Sequence, residues 1–112
     1  MKKIIFALVL LVSGCSLMPI SFDGSLFDNL VSTKIAVEKL NCDDKNWTDA
    51  EDKIHHLGAY ASLRGDPQAK SIDELEVAIK KAKDSNNKMF CESILKINKT
   101  RLDVVADAWR GR

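Results

Sequence analysis

Apolar residues recur at intervals of three and four through most of this chain, and that spacing is the period of an amphipathic α-helix. The alternation of apolar and polar residues that would indicate a half-buried strand is absent. Short runs rich in Asp, Asn, Ser and Gly divide the pattern into segments, which we expect at residues 26–41, 48–64, 72–83 and 88–109. The sequence therefore predicts an all-α fold, a small bundle of about four helices.

The first three segments each carry one apolar stripe, which we expect to face the core. The stripes are Leu26, Leu30, Thr33, Val37 and Leu40 in the first segment, Trp47, Ala50, Ile54, Leu57 and Ala61 in the second, and Ile72, Leu75, Ile79 and Ala82 in the third. Thr48 followed by Glu51, and Ser71 followed by Glu74, match the capping box that begins many helices. Gly65 is a suitable residue to end the second helix.

The fourth segment has a much wider apolar face than the others. Its apolar members are Phe90, Cys91, Ile94, Leu95, Ile97, Leu102, Val104, Val105, Ala108 and Trp109, and only Asn98 and Arg101 interrupt them. A small bundle has limited surface to cover so wide a face. We therefore expect residues 90–95 to be core, and the last turns, near Arg101, Val105 and Trp109, to be partly exposed and to contact a partner.

The composition is that of a globular protein. Apolar residues make up 46% of the 112 residues, which excludes intrinsic disorder, and five Gly with two Pro exclude a collagen-like or low-complexity chain. The net charge is only +1, with both signs interspersed. We therefore expect no nucleic-acid partner, because such a partner requires a basic surface.

The beginning of the chain has the pattern of an export signal. Lys2 and Lys3 are followed by an unbroken apolar run of nine residues, 4–12. A membrane-spanning helix needs roughly twenty apolar residues, so this run is too short to span a bilayer but fits the apolar region of a signal peptide. The run leads directly into Val12-Ser13-Gly14-Cys15, in which two small residues precede a cysteine.

This arrangement resembles the lipobox of bacterial lipoprotein precursors, and the resemblance covers residues 1–15. It implies that residues 1–14 are a signal peptide cut off before Cys15, whose thiol receives a diacylglyceryl group and whose new amine is acylated, typically with palmitate. Ser16 is not the Asp that favours inner-membrane retention in this family, so the resemblance implies the outer membrane. The alternative is an ordinary cleaved signal, with Cys15 as a free thiol.

Behind the lipobox, residues 15–25 contain Pro19, Gly24 and three serines, and we expect them to form the lipidated N-terminus and a tether. Residues 26–112 then form the helical domain. Removing Lys2 and Lys3 with the signal lowers the net charge of +1 by two, to −1.

Two cysteines remain in the domain, Cys42 and Cys91. An even pair in an exported chain favours a disulfide, which would join the end of the first helix to the start of the fourth. The alternatives are two buried free thiols or a redox-active pair, and the second of these is disfavoured because there is no Cys-x-x-Cys spacing.

Few polar residues are candidates for a site. His55 and His56 are adjacent, so they point about 100° apart on a helix, and Glu51 and Asp52 precede them by four residues. They suit a solvated helix face, with a weak metal or pH-sensing site as the alternative. Arg101 either reaches the rim, pairs with a carboxylate of another helix, or contacts a partner, because burial without a partner is costly.

Aromatic residues are the second group of candidates for partner contact. Trp47, Tyr60 and Trp109 belong to the residue types that dominate protein interfaces. Filling of the core is the alternative for the two tryptophans. We take Arg101 and Trp109 as the predicted partner-binding residues.

No motif of the sequence points to catalysis. A Gly-rich phosphate loop and a Gly-x-Ser-x-Gly nucleophile motif are both absent, and a disulfide leaves no thiol nucleophile. We expect no enzyme activity, cofactor or metal. The chain is expected to be a small outer-membrane lipoprotein facing the periplasm, a structural or protein-interaction module. It would contact the bilayer through acylated Cys15 and an envelope protein through a helix face. The alternatives are a phage-type outer spanin and an inhibitor or exclusion lipoprotein.

Overall fold

The structure is a computed structural model that describes residues 20–112. It contains α1 (Gly24–Glu38), α2 (Thr48–Leu63), α3 (Ala69–Asp84) and α4 (Lys88–Arg110), and this part of the chain contains no strand. The predicted all-α bundle is confirmed. The predicted signal peptide and Cys15, with most of the tether, lie outside the described residues.

The four helices form a closed ring around one core. Each helix packs against the next one in the chain, and α4 also packs against α1. Because the loops are short, consecutive helices run antiparallel. Residues 20–24, 63–69 and 110–112 therefore lie at one end of the bundle, which we call the tether end. Residues 39–47 and 85–91 lie at the other, which we call the disulfide end.

The core consists of the predicted stripes of the first three helices, in which only Leu40 is partly exposed, together with part of the apolar face of α4. Its buried members include Leu26, Leu30, Val37, Ile54, Leu57, Ala61, Ile72, Leu75, Ile79, Ala82, Cys91, Leu95 and Leu102. A tryptophan closes the core at each end, Trp47 at the disulfide end and Trp109 at the tether end. The indole nitrogen of Trp47 donates to the carbonyl oxygens of Asn41 and Asp44, both at 3.1 Å, so its burial leaves no polar atom without a partner.

The two predicted capping boxes are wrong. α2 begins at Thr48, but its N-cap residue is Trp47, which makes no side-chain capping bond. Glu51 instead accepts a hydrogen bond from Lys83 at 2.8 Å, which links α2 to α3. Ser71 lies inside α3, because that helix begins earlier, at Ala69. A local sequence signal was thus overridden by contacts between helices.

The first helix begins two residues earlier than predicted, because Asp23 caps it. The carboxylate of Asp23 accepts from the backbone N–H of Leu26 at 3.1 Å, and α1 starts at Gly24. Gly24 and Ser25 therefore belong to the helix and not to the predicted tether.

The turn between α2 and α3 closes as predicted at Gly65. This glycine has φ +68°, a left-handed conformation that side chains disfavour. The N–H of Asp66 donates to the carbonyl of Ala61 at 2.9 Å and the N–H of Gly65 to that of Ser62 at 3.0 Å, which is a Schellman motif. The tight turn directs the chain back into α3 and places Asp66, which is 4% exposed, beneath the end of α4.

Cys42 and Cys91 lie at disulfide-bonding distance, with their Cα atoms 6.1 Å apart, and this predicted pairing is confirmed. Cys91 is wholly buried in the first turn of α4, and Cys42 lies in the loop after α1. A salt bridge of 3.0 Å between Lys88 and Asp43 runs alongside the disulfide. The disulfide end is therefore held covalently across the α1–α4 contact.

Candidate interaction surface

The fourth helix carries two apolar stripes, one buried and one exposed. The buried stripe consists of Cys91, Leu95, Asn98, Leu102, Val105 and Trp109. The second stripe, which we call the α4 stripe, consists of Phe90, Ile94, Ile97, Arg101 and Val104. Both follow spacings of four and three residues, the spacing of a coiled-coil seam. The wide apolar face is therefore two seams side by side, of which the bundle uses one.

Three of the four large apolar members of the α4 stripe are open to solvent, and the fourth, Ile94, is partly buried against the core. Phe90 is 49% exposed, Ile97 61% and Val104 60%, and they follow one another at intervals of seven residues. That interval keeps them on one side of the helix, with a drift of only about 20° per step. A row of three such residues along one helix is an unpaired apolar surface, in contrast to single apolar residues scattered over a protein.

A shallow groove between α3 and α4 extends this surface. It has a volume of about 400 Å³, and Ile94 and Arg101 line it on the α4 side. Val77, which is 56% exposed, lines it on the α3 side. Ala78 and four charged side chains of α3 form the rest of the wall, and the charged ones are Lys70, Asp73, Glu74 and Lys81. The combination is an apolar floor with a charged rim, which is the usual anatomy of a protein–protein contact.

Arg101 lies within the α4 stripe, as predicted. Its Nη2 atom is 3.9 Å from Oε2 of Glu74, and the side chain is 32% exposed. That distance is longer than a hydrogen bond, and an ion pair between partly exposed groups contributes at most about 1 kcal/mol. Of the three expected outcomes, the structure supports pairing with a carboxylate of another helix, Glu74 on α3, although the pair is long and partly exposed. Along α4, Arg101 is one helical turn from Ile97 and one from Val104.

Trp109, the other predicted partner-binding residue, does not lie on the surface. It is 2% exposed, and its indole nitrogen donates to Oδ1 of Asp66 at 3.2 Å. Val105 is also buried, at 1%, whereas Phe90, predicted to be core, is half exposed. The expected division of α4 into a buried start and an exposed end is therefore wrong. The division runs along the length of the helix, because the two seams lie side by side.

Asn98 interrupts the buried seam and not the exposed one. It is 2% exposed, and its Nδ2 donates to the carbonyl of Ile94 at 2.8 Å. Its Oδ1 has no hydrogen-bond partner in the described part of the chain. Asn98 therefore lies in the core and takes no part in the surface around Arg101.

Hydrogen bonds and a salt bridge of Asp66 join the end of α4 to the turn between α2 and α3. Its two carboxylate oxygens accept from the guanidinium of Arg112 at 2.6 and 3.0 Å, and Oδ1 also accepts from the backbone N–H of Gln68 at 2.9 Å. Burial acts to raise the pKa of Asp66, but the bonds from Arg112, Gln68 and Trp109 outweigh it and lower the pKa below its usual value. Asp66 is therefore ionised at neutral pH, and it holds the end of α4 against the turn between α2 and α3.

Asp23 is the centre of a second group of hydrogen bonds at the tether end. Besides capping α1, its carboxylate accepts from the hydroxyl of Tyr60 at 2.8 Å and from the guanidinium of Arg64. Arg64 also donates to the carbonyl of Ser21 at 3.1 Å. The bonds from Leu26 N–H, Tyr60 and Arg64 together lower the pKa of Asp23. Tyr60, a candidate contact residue, thus uses its hydroxyl within the fold.

The two histidines lie on the solvated face of α2. Both are exposed, and Nδ1 of His55 is 3.0 Å from Oε1 of Glu76 on α3. Among residues 20–112, no group of three or more His, Cys, Asp or Glu side chains is arranged to hold a metal ion.

The described helices are too short or too polar to cross a membrane. No protein-family model, curated protein or solved structure matches the chain. The α4 stripe is therefore interpreted from its own geometry and chemistry.

Proposed function

We propose that this protein is a small lipid-anchored lipoprotein of the outer membrane, facing the periplasm, which binds another envelope protein through the α4 stripe. The role is structural and not enzymatic. The observation that carries the proposal is the second coiled-coil seam of α4, on which Phe90, Ile97 and Val104 remain exposed although the bundle is closed.

The anchor is supported by the lipobox residues and by the disulfide geometry. Val12-Ser13-Gly14-Cys15 follows the apolar run in the register of a lipoprotein precursor. Disulfides persist in oxidising compartments such as the periplasm, and Cys42 and Cys91 lie at bonding distance. Together they support an exported chain in which Cys15 is reserved for acylation.

The spacing of the α4 stripe supports a helical partner. Phe90, Ile97 and Val104 present one apolar side chain per heptad, and Ile94 and Arg101 occupy the positions between them. A partner helix with its own apolar seam fits this surface as a knobs-into-holes contact. A carboxylate opposite Arg101 would complete the ion pair that Glu74 makes only loosely, at 3.9 Å.

Changing Cys15 to Ser is expected to abolish lipidation and to leave precursor or soluble material. Without the thiol there is no acylation, and none of the described helices is long and apolar enough to cross a membrane. The measurement is fractionation of the envelope together with incorporation of labelled palmitate. Cys42→Ser serves as the matched control, because it removes a cysteine but leaves the anchor. Outer-membrane fractionation and palmitate labelling of the Cys15→Ser chain would contradict the proposal.

A photo-crosslinking amino acid at position 97 is expected to give one discrete adduct with an envelope protein in intact cells. Ile35 on α1 is 47% exposed but lies off the α4 stripe, and the same amino acid there should give none. Arg101→Glu should weaken the adduct about tenfold, as for an interface arginine worth more than 1 kcal/mol. Equal adducts from positions 97 and 35 would exclude the α4 stripe as the contact surface.

A further inference from the structure

The most exposed large apolar side chain among the described residues lies at the tether end. Leu63, the last residue of α2, is 91% exposed, and Phe22, just before α1, is 50% exposed. Neither contributes to the core. Between them, Arg64 donates hydrogen bonds to Ser21 and Asp23 and so joins the two segments.

A second apolar feature adjoins Leu63. A groove of about 360 Å³ is lined by His56, Ala59, Tyr60, Leu63 and Arg64, and most of its wall is apolar. Tyr60 and Arg64 are the same residues that bind Asp23, so the groove opens where the chain enters the bundle. The tether end thus combines exposed apolar side chains with the entry point of the chain.

The short segment between Cys15 and the tether end indicates that the exposed apolar side chains there lie close to the bilayer. Ile20 is five residues after Cys15, and five residues span at most about 18 Å when fully extended. If Cys15 is acylated, the tether end is held within that distance of the bilayer. The disulfide end lies at the opposite end of α4, whose 23 residues make a rod of about 35 Å.

The charges at this end favour apolar contact over attraction to anionic lipid. Three arginines lie there, and each pairs with a carboxylate: Arg64 with Asp23, Arg110 with Asp107, and Arg112 with Asp66. Each pair is neutral overall, so the arginines provide little attraction for anionic headgroups. A zwitterionic lipid surface is therefore the partner that fits.

We infer that the tether end of the bundle rests on the bilayer, with Leu63 and Phe22 inserted at the headgroup boundary. This inference rests on the lipid anchor of the proposed function. The acyl chains supply the affinity, and the added contact sets the orientation. The bundle then stands upright, and the α4 stripe runs away from the membrane, toward a partner in the periplasm.

The test uses the acylated full chain in phosphatidylcholine vesicles whose acyl chains carry bromine, a quencher of tryptophan fluorescence. Leu63→Trp places a probe at the tether end. Met89→Trp places a matched probe at the disulfide end, where Met89 is 77% exposed. Trp47 and Trp109 are both buried, at 1% and 2%, so they supply the same background in each variant.

The expected result is a blue shift and a loss of emission for Leu63→Trp, with Met89→Trp unchanged. Equal quenching of both probes would mean that the bundle lies flat, and quenching of neither would mean that the tether end stands off the bilayer. Either result overturns the inference. If the protein still floats with the vesicles, the result does not contradict the lipid anchor. A chain that does not float with the vesicles contradicts the anchor itself, and the inference falls with it.

Discussion

Trp109→Ala is expected to destabilise the domain by about 3–5 kcal/mol, as much as Leu95→Ala. The indole is 2% exposed and closes the core at the tether end, so its removal opens a large cavity. It also removes one of the donors to Asp66, which is itself buried. Small domains are stable by only about 5–15 kcal/mol, so the loss is a large fraction of the total. The measurement is chemical denaturation of the soluble Cys15→Ser chain.

The control for this prediction is Ile97→Ala on the same helix. Ile97 is 61% exposed, and truncation there should change the free energy of unfolding by no more than about 0.5 kcal/mol. The two variants together separate the buried seam of α4 from the exposed one. If Trp109→Ala unfolds at the same denaturant concentration as Ile97→Ala, the assignment of Trp109 to the core is wrong.

The periodicity of α4 predicted its wide apolar face but not which half of the face is buried. Phe90 and Cys91 are neighbours in the sequence and belong to different seams, and so do Val104 and Val105. Both seams satisfy the helical period equally well. The choice between them depends on where α1 and α3 lie against α4, and that is information from the tertiary fold.

The polar contacts at the tether end also depend on the tertiary fold. Asp66 lies 43 residues from Trp109 and 46 from Arg112, and nothing in the local sequence marks it as their partner. The capping box at Thr48 was wrong for a related reason, because Glu51 bonds to Lys83 on the next helix. By contrast, the stripes of the first three helices were predictable from periodicity, and the pairing of Cys42 with Cys91 from the number of cysteines left once Cys15 is assigned to the lipobox.

Loss of the Cys42–Cys91 disulfide is expected to lower the stability of the domain by about 4 kcal/mol, the chain-entropy value for a loop of this length. The two residues are 49 positions apart, so the bond closes a loop that contains α2 and α3. It joins α1 to α4, the only helix pair of the ring that no short loop connects. Without it, we expect α4 to separate from α1 first, at the disulfide end.

The measurement compares the soluble Cys15→Ser chain with the same chain carrying Cys42→Ala and Cys91→Ala. Cys15→Ser leaves only the pair, so alkylation of periplasmic material should find no thiol before reduction and both after it. The double alanine variant should unfold at lower denaturant concentration, and added reductant should affect the parent but not the variant. Hydrogen exchange should rise more in the first turn of α4 than near Trp109, because the bonds from Trp109 and Arg112 to Asp66 remain. Two alkylatable thiols in unreduced material would contradict the disulfide, and the contact between α1 and α4 would then depend on packing and on surface ion pairs such as Lys34–Asp103.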